Sequence, residues 1–193
     1  MKLLCFAMPA LDCTRQGRFP SHSEARDRAG LAHVIWPDVE YCITGSEQDA
    51  CNFQTSLGRP VAVEPDLAPC HYGTWAGKSL KALPPADISC WAQDPNFVPP
   101  GGESRAAMNG RVARWLQKAR YDRAVTLLIL EPDVVRALIQ ACLDLGAFSA
   151  SGLDIMPASW SVLSYAGRWR LQALSLPANY GCSRIISGSK SDH

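Results

Sequence analysis

Apolar residues in this chain fall into short blocks separated by polar, proline- and glycine-rich stretches, and the spacing inside the blocks switches between continuous runs and helical periods. Lys2 to Met8 is an almost unbroken apolar run ended by Pro9, which predicts a buried strand followed by a polar loop through Arg15, Gly17, Arg18 and Pro20. A helix is expected from about Ser23 to Val34, a second strand over Val39 to Thr44, and a helix over Gly45 to Leu57 closed by Gly58. Pro60 to Val63 predicts a third short strand. Leu67 to Leu83 has no period and is expected to be irregular, and a short helix is expected around Asp87 to Trp91. Pro99-Pro100-Gly101-Gly102 can be neither helix nor central strand. Beyond it, Ala107, Val112, Trp115 and Leu116 recur at helical spacing within Ser104 to Lys118.

Ala124 to Leu130 is nearly uniformly apolar, the pattern of a parallel strand covered on both faces. Pro132 then opens a helix with Val134, Leu138, Ala141 and Leu145 on one face and Gly146 beyond its end. Trp160 to Tyr165 and Arg168 to Leu174, flanking Ala166-Gly167, predict a hairpin. Strands and helices alternate over most of the length, so the expected class is α/β with a mostly parallel sheet, one domain over residues 1–186, and a polar, mobile tail over 187–193.

The 193 residues suffice for one ordinary domain, and 47% hydrophobic against 19% charged residues provides a core and argues against global disorder. A formal charge of +1 without a basic run excludes nucleic acid as the main partner. No apolar run approaches the ~20 residues of a membrane-spanning helix, and Leu3 to Met8 is too short for a secretory signal. A cytoplasmic protein with no membrane partner is therefore expected. The eight cysteines, Cys5, Cys13, Cys42, Cys51, Cys70, Cys90, Cys142 and Cys182, contain no CxxC pair; most are expected to be reduced core thiols, with no metal site.

Four short pieces carry a resemblance. They are Gln16-Gly17-Arg18-Phe19-Pro20 after the first strand, Tyr72-Gly73-Thr74-Trp75-Ala76-Gly77, Pro99-Pro100-Gly101-Gly102-Glu103-Ser104, and Val134-Val135-Arg136-Ala137-Leu138 after the late apolar strand. In this order and spacing the chain resembles the histidine phosphatase superfamily, the phosphoglycerate mutase-like proteins, and within it the small bacterial α-ribazole-phosphatase-like branch. The resemblance implies a single-domain three-layer α/β/α fold with a phosphate pocket at the C-terminal edge of the sheet. It also implies a chemistry in which one histidine attacks phosphorus, two arginines and a second histidine hold the phosphoryl oxygens, and a carboxylic acid protonates the leaving group.

Each of those places is substituted here. The arginine-histidine pair that should end the first strand falls on Ala7 and Met8, and the next arginine on Asp49, or on Cys51 if the alignment slips. The acid falls on Pro69 and the second histidine on Glu131. Residues 1–21 contain no histidine, and His22, His33, His71 and His193 are the only ones in the chain. By this alignment the phosphohistidine reaction has no nucleophile and no catalytic residue is assigned.

The exchanges make the pocket more acidic by about four charges, and at ~4 Å with an effective dielectric near 20 each like-charge contact with phosphate costs on the order of 4 kcal/mol. Glu131, just before Pro132, is placed where its carboxylate can occupy the anion position of a helix N-terminus. Arg18, with Arg15 in the same loop, is a candidate cleft contact. Glu103 and Ser104 read as a helix-capping turn, Arg136 as a brace between loops, and His71 as structural. The expectation is a pseudoenzyme without cofactor that binds an unknown small molecule or protein. Two alternatives stay open: an enzyme with a repurposed acidic cleft built on Glu131 and Asp49, and a residual phosphomonoesterase.

Overall fold

The computed structural model describes residues 1–21, 31–119, 124–146 and 152–180. Six strands, β1 (Lys2–Ala7), β2 (Tyr41–Thr44), β3 (Ala62–Val63), β4 (Val125–Leu130), β5 (Ser159–Tyr165) and β6 (Trp169–Pro177), form one sheet in the order β3-β2-β4-β1-β5-β6. The β3/β2, β2/β4 and β4/β1 pairings are parallel, whereas β5 and β6 add an antiparallel hairpin on the other side of β1. The helices are α1 (Asp12–Arg15), α2 (Glu47–Leu57), α3 (Pro85–Gln93), α4 (Arg105–Lys118) and α5 (Pro132–Leu143).

Side-chain alternation in β1 divides the core. Leu3, Cys5 and Ala7 point to the face covered by α4 and α5, where they meet Met108, Val112, Val134 and Leu138. Leu4, Phe6 and Met8 point to the opposite face, covered by α2 through Ala50 and Phe53. There Phe6 packs at 5.0 Å from Trp36 and 4.9 Å from Trp160, ring centre to ring centre. A third, smaller cluster of Phe19, Trp75 and Leu83 with Tyr72, Trp91 and Phe97 joins the loop after β1 to the segment before α4. No described helix is long and apolar enough to cross a membrane.

The expected elements within the described residues are present, and their boundaries differ for local reasons. β2 and β3 start two residues later than expected, and Pro60, which lacks an N–H, stays outside the ladder. Residues 67–83 form short 3₁₀ turns, and α3 begins earlier than expected because Pro85 fits a first helical position. α5 ends at Leu143 rather than running to Gly146: Asp144 takes the left-handed cap itself, at φ 52°. Most of the expected helix over 23–34 lies outside the described residues, as do Cys182, the domain end at 186 and the tail over 187–193; residues 31–33 form a turn. Cys5, Cys13, Cys42, Cys70 and Cys142 are buried free thiols, while Cys51 and Cys90 are exposed.

The two turn glycines Gly58 and Gly73 make different demands. Both have positive φ, but a Cβ on Gly58 would meet open space, whereas one on Gly73 would lie 2.2 Å from the Pro100 carbonyl oxygen. Gly58→Ala is expected to cost about 1 kcal/mol for the left-handed backbone alone, and Gly73→Ala ~3 kcal/mol or more, because backbone must move as well. Urea unfolding of the two variants checks this; equal losses would contradict the close packing of the turn on the proline-glycine loop.

Candidate functional site

The chain leaves β1 and β4, which lie side by side, toward opposite sides of the sheet. β1 continues to β2, beyond β4, and β4 continues through α5 to β5, beyond β1. Such a switch point leaves a crevice outside the carboxyl ends of the two strands. A cleft of about 360 Å³ occupies it, lined by Ala10 and Leu11 after β1, Glu131 and Asp133 after β4, Arg18 from the first loop and Pro69 from the third.

The Pro69 wall is pinned by one guanidinium. Arg111, on α4, donates through Nε and Nη2 to the two carboxylate oxygens of Glu103 at 3.1 and 2.7 Å, through Nη1 to the Asp66 carbonyl at 2.9 Å, and through Nη2 to the Pro69 carbonyl at 3.1 Å. Glu103 Oε1 also accepts from the His71 backbone N–H at 3.0 Å, and the Glu103 N–H donates back to the His71 carbonyl at 2.8 Å. Ser104 caps α4 by accepting from the Ala107 N–H at 3.0 Å, as the sequence suggests, whereas Glu103 is a clamp rather than a cap.

The N-terminus of α5 is organised differently from the sequence expectation. Glu131 occupies the N-cap position, yet its carboxylate makes no capping hydrogen bond; Asp133 Oδ1 instead accepts from the Val134 N–H at 2.9 Å. Pro132 has no N–H to offer. Burial pushes the Asp133 carboxyl above the usual carboxylate range, although the Val134 N–H and the Arg136 charge oppose the rise. Arg136 lines the cleft, its buried Nε has no hydrogen-bond partner, and its charge acts on the Asp133 carboxyl. Two carboxylates, Glu131 and Asp133, therefore face two guanidiniums, Arg18 and Arg136. The Cys70 thiol, also in the lining, is pushed up to about 12 chiefly by burial and stays protonated at neutral pH.

Residues 46–176 match the model of the histidine phosphatase superfamily, branch 1. The chain belongs to the histidine phosphatase superfamily. Curated relatives of this chain lie at low identity. The bifunctional protein Rv2228c of Mycobacterium tuberculosis is 28% identical over 143 residues, which is 72% of this chain but 38% of that protein's length, and an uncharacterized protein of Mycobacterium bovis, Mb2253c, matches to the same extent. This chain thus spans well under half the length of these curated relatives. Among solved structures, the α-ribazole phosphatase of Shigella flexneri superposes with a TM-score of 0.75 at 19% identity, covering 91% of this chain and 96% of that one. A mycobacterial glucosyl-3-phosphoglycerate phosphatase, Rv2419c, superposes with a TM-score of 0.67 at 22% identity, covering 91% and 98%. At these identities the likeness establishes the phosphoglycerate mutase-like fold.

The structure brings together some of the positions that the sequence alignment singles out and separates others. Pro69 and Glu131 line one cleft with Arg18. Ala7 pairs with Leu130, and the Met8 N–H donates to the Leu130 carbonyl at 2.8 Å, so both stand beside Glu131 along the backbone; their side chains, however, are packed into the two cores. Asp49 lies elsewhere. Its N–H is capped by Ser46 Oγ at 3.2 Å, its carboxylate accepts from the Ser46 hydroxyl at 2.7 Å, and it borders a separate hollow with Trp36 and Phe53. Arg15 pairs with Asp12 at 3.3 Å on the surface and is not in the cleft lining; Cys51 is exposed on α2. Among the described residues no group of three or more histidine, cysteine, aspartate and glutamate side chains is placed to hold a metal. Sequence reading missed Asp133 and Arg111. The first directly follows the opening proline of α5, a place where a side chain can take a free N–H; the second carries no local signal, because its partners lie in other segments.

Asp133 yields a pH prediction. Its folded-state pKa is raised, so between the unfolded and folded values the native state binds more protons and stability falls as pH rises. Asp133→Asn keeps the oxygen that accepts from Val134 and removes this loss. The variant is expected to gain on the wild type as pH rises above ~4, measured by thermal or urea unfolding at a series of pH values; a gain that instead grows toward acid pH would reverse the assignment.

Proposed function

We propose that this member of the superfamily has lost phosphohistidine chemistry and is a cytoplasmic binding or regulatory protein that receives a small molecule or a protein segment in the cleft at the sheet edge. The observation that carries the reading is the cleft lining, which among the described residues contains no histidine and balances its two guanidiniums with two carboxylates. The described histidines, His33 and His71, lie outside it. Transfer of a phosphoryl group by the family route needs an imidazole nucleophile and unopposed cations, and neither kind of group stands in this lining. A phosphate dianion would face Glu131 and Asp133, each costing on the order of 4 kcal/mol at close approach. The amide cradle that a helix N-terminus can offer an anion is curtailed here by Pro132 and by Asp133 on Val134. The seven free described cysteines support a reducing compartment.

A second reading, an enzyme with new acid-base chemistry, is favoured by Asp133 alone, a desolvated carboxyl in the cleft wall. The earlier pairing of Glu131 with Asp49 is not available to it, since Asp49 serves α2 away from the cleft.

The deciding experiment incubates the purified protein with an aryl phosphate, 3-phosphoglycerate, α-ribazole phosphate and glucosyl-3-phosphoglycerate, the last two taken from the names of its structural neighbours. The expected result is no phosphate release above buffer. Release that disappears in Glu131→Gln or His22→Ala would overturn the reading, and release that disappears only in Asp133→Asn would establish the second one.

A further inference from the structure

A larger chamber of about 650 Å³ lies beside the cleft, and Tyr72, Trp91, Asp133 and Arg136 line both spaces. Its own walls come from the end of α3 and the facing sides of α4 and α5, including Arg105 and Asn109. Among the described residues, three buried side-chain polar atoms have no hydrogen-bond partner: Thr126 Oγ1, Arg105 Nε and Arg136 Nε. The last two belong to residues lining this one chamber. Buried donors are rarely left unmade, because the desolvation of the group is then uncompensated.

The two guanidiniums are held differently. Arg105 is anchored by Nη2, which donates to the Trp91 and Ala92 carbonyls at 2.9 and 3.0 Å, and its guanidinium carbon lies 5.7 Å from the centre of the Trp91 ring. Arg136 Nε has no hydrogen-bond partner. Two guanidiniums and the Asp133 carboxylate give the chamber wall a net charge of about one positive unit. Asn109 donates to Gln140 Oε1 at 3.0 Å, which keeps that part of the lining neutral and self-satisfied.

We propose that this chamber binds a small organic monoanion, a carboxylate on a flat unsaturated body, with the carboxylate held between Arg105 and Arg136 and the body against Trp91 and Tyr72. The planar guanidinium fork matches a carboxylate in shape, and one negative charge matches the surplus of the wall. A phosphate dianion would exceed that surplus and confront Asp133. The volume suits a small ligand, in the ~300–1,000 Å³ range of such sites. The proposal does not rest on the cleft being inactive: the chamber adjoins the cleft, and its occupancy is measured without any turnover.

The test is a titration of the full chain with benzoate, followed through the arginine Nε–Hε signals in ¹⁵N NMR spectra and assigned with Arg105→Lys and Arg136→Lys. Benzoate is expected to shift the Arg105 and Arg136 signals saturably, while the uncharged benzamide and the dianionic phenyl phosphate act only at much higher concentration. Arg136→Met should weaken benzoate binding about tenfold or more, with circular dichroism confirming that it is folded; should it not fold, Arg136→Lys, which keeps the charge but lacks the fork, should weaken binding severalfold. Equal binding of benzamide, tighter binding of phenyl phosphate, a shift confined to Arg18, or no shift at all would each overturn the proposal.

Discussion

The clamp made by Arg111 ties the segment from Asp66 to Pro69 to Glu103 and α4, stretches that lie far apart in the chain. One side chain bonds the turn at Asp66, the strand-like segment at Pro69 and the carboxylate of Glu103, and Glu103 in turn fixes His71. Both partners of the ion pair are largely buried, with side chains 13% and 21% exposed, so the bidentate bond operates in a medium where it is hardly screened. The position of Pro69 in the cleft follows from it. So does the placement of Tyr72, whose ring packs 4.9 Å from Phe19 and thereby ties the first loop, with Arg18, to the same wall.

Charge in this region is arranged by balance rather than by excess. The cleft sets Glu131 and Asp133 against Arg18 and Arg136, and the adjoining chamber keeps Asp133 but has Arg105 and Arg136. One carboxyl thus stands in the partition between two spaces of different net charge. Its desolvation raises its pKa although the Val134 N–H and the Arg136 charge both lower it.

What could be read from the chain beforehand was what neighbouring residues decide among themselves. β1, β4 and α5 announce themselves by apolar runs and by Pro132, and the left-handed closure of α2 by Gly58. The hairpin of β5 and β6 is equally local. The fold class followed from their alternation and from four short motifs matched to a family. The interior of the site was less legible. Arg111 looks like any surface cation of an amphipathic helix, and only tertiary docking reveals its three partners. Asp49, which the alignment sets against a family arginine, accepts from the hydroxyl of Ser46, the serine that caps α2. Glu131 was assigned a capping task that the structure gives to Asp133, two residues later, because proline between them fixes the turn and leaves Val134 as the donor within reach.

The contact between Arg111 and the Asp66 carbonyl spans 45 residues. Closing so long a segment is entropically unfavourable until other contacts have formed, so the wall carrying Pro69 is completed only once α4 has docked. The wall depends on α4, which supplies the Arg111 that holds it. Any partial opening that lifts this helix therefore dissolves the recess, and a molecule that recognises the recess distinguishes fully assembled chains from those still on their way.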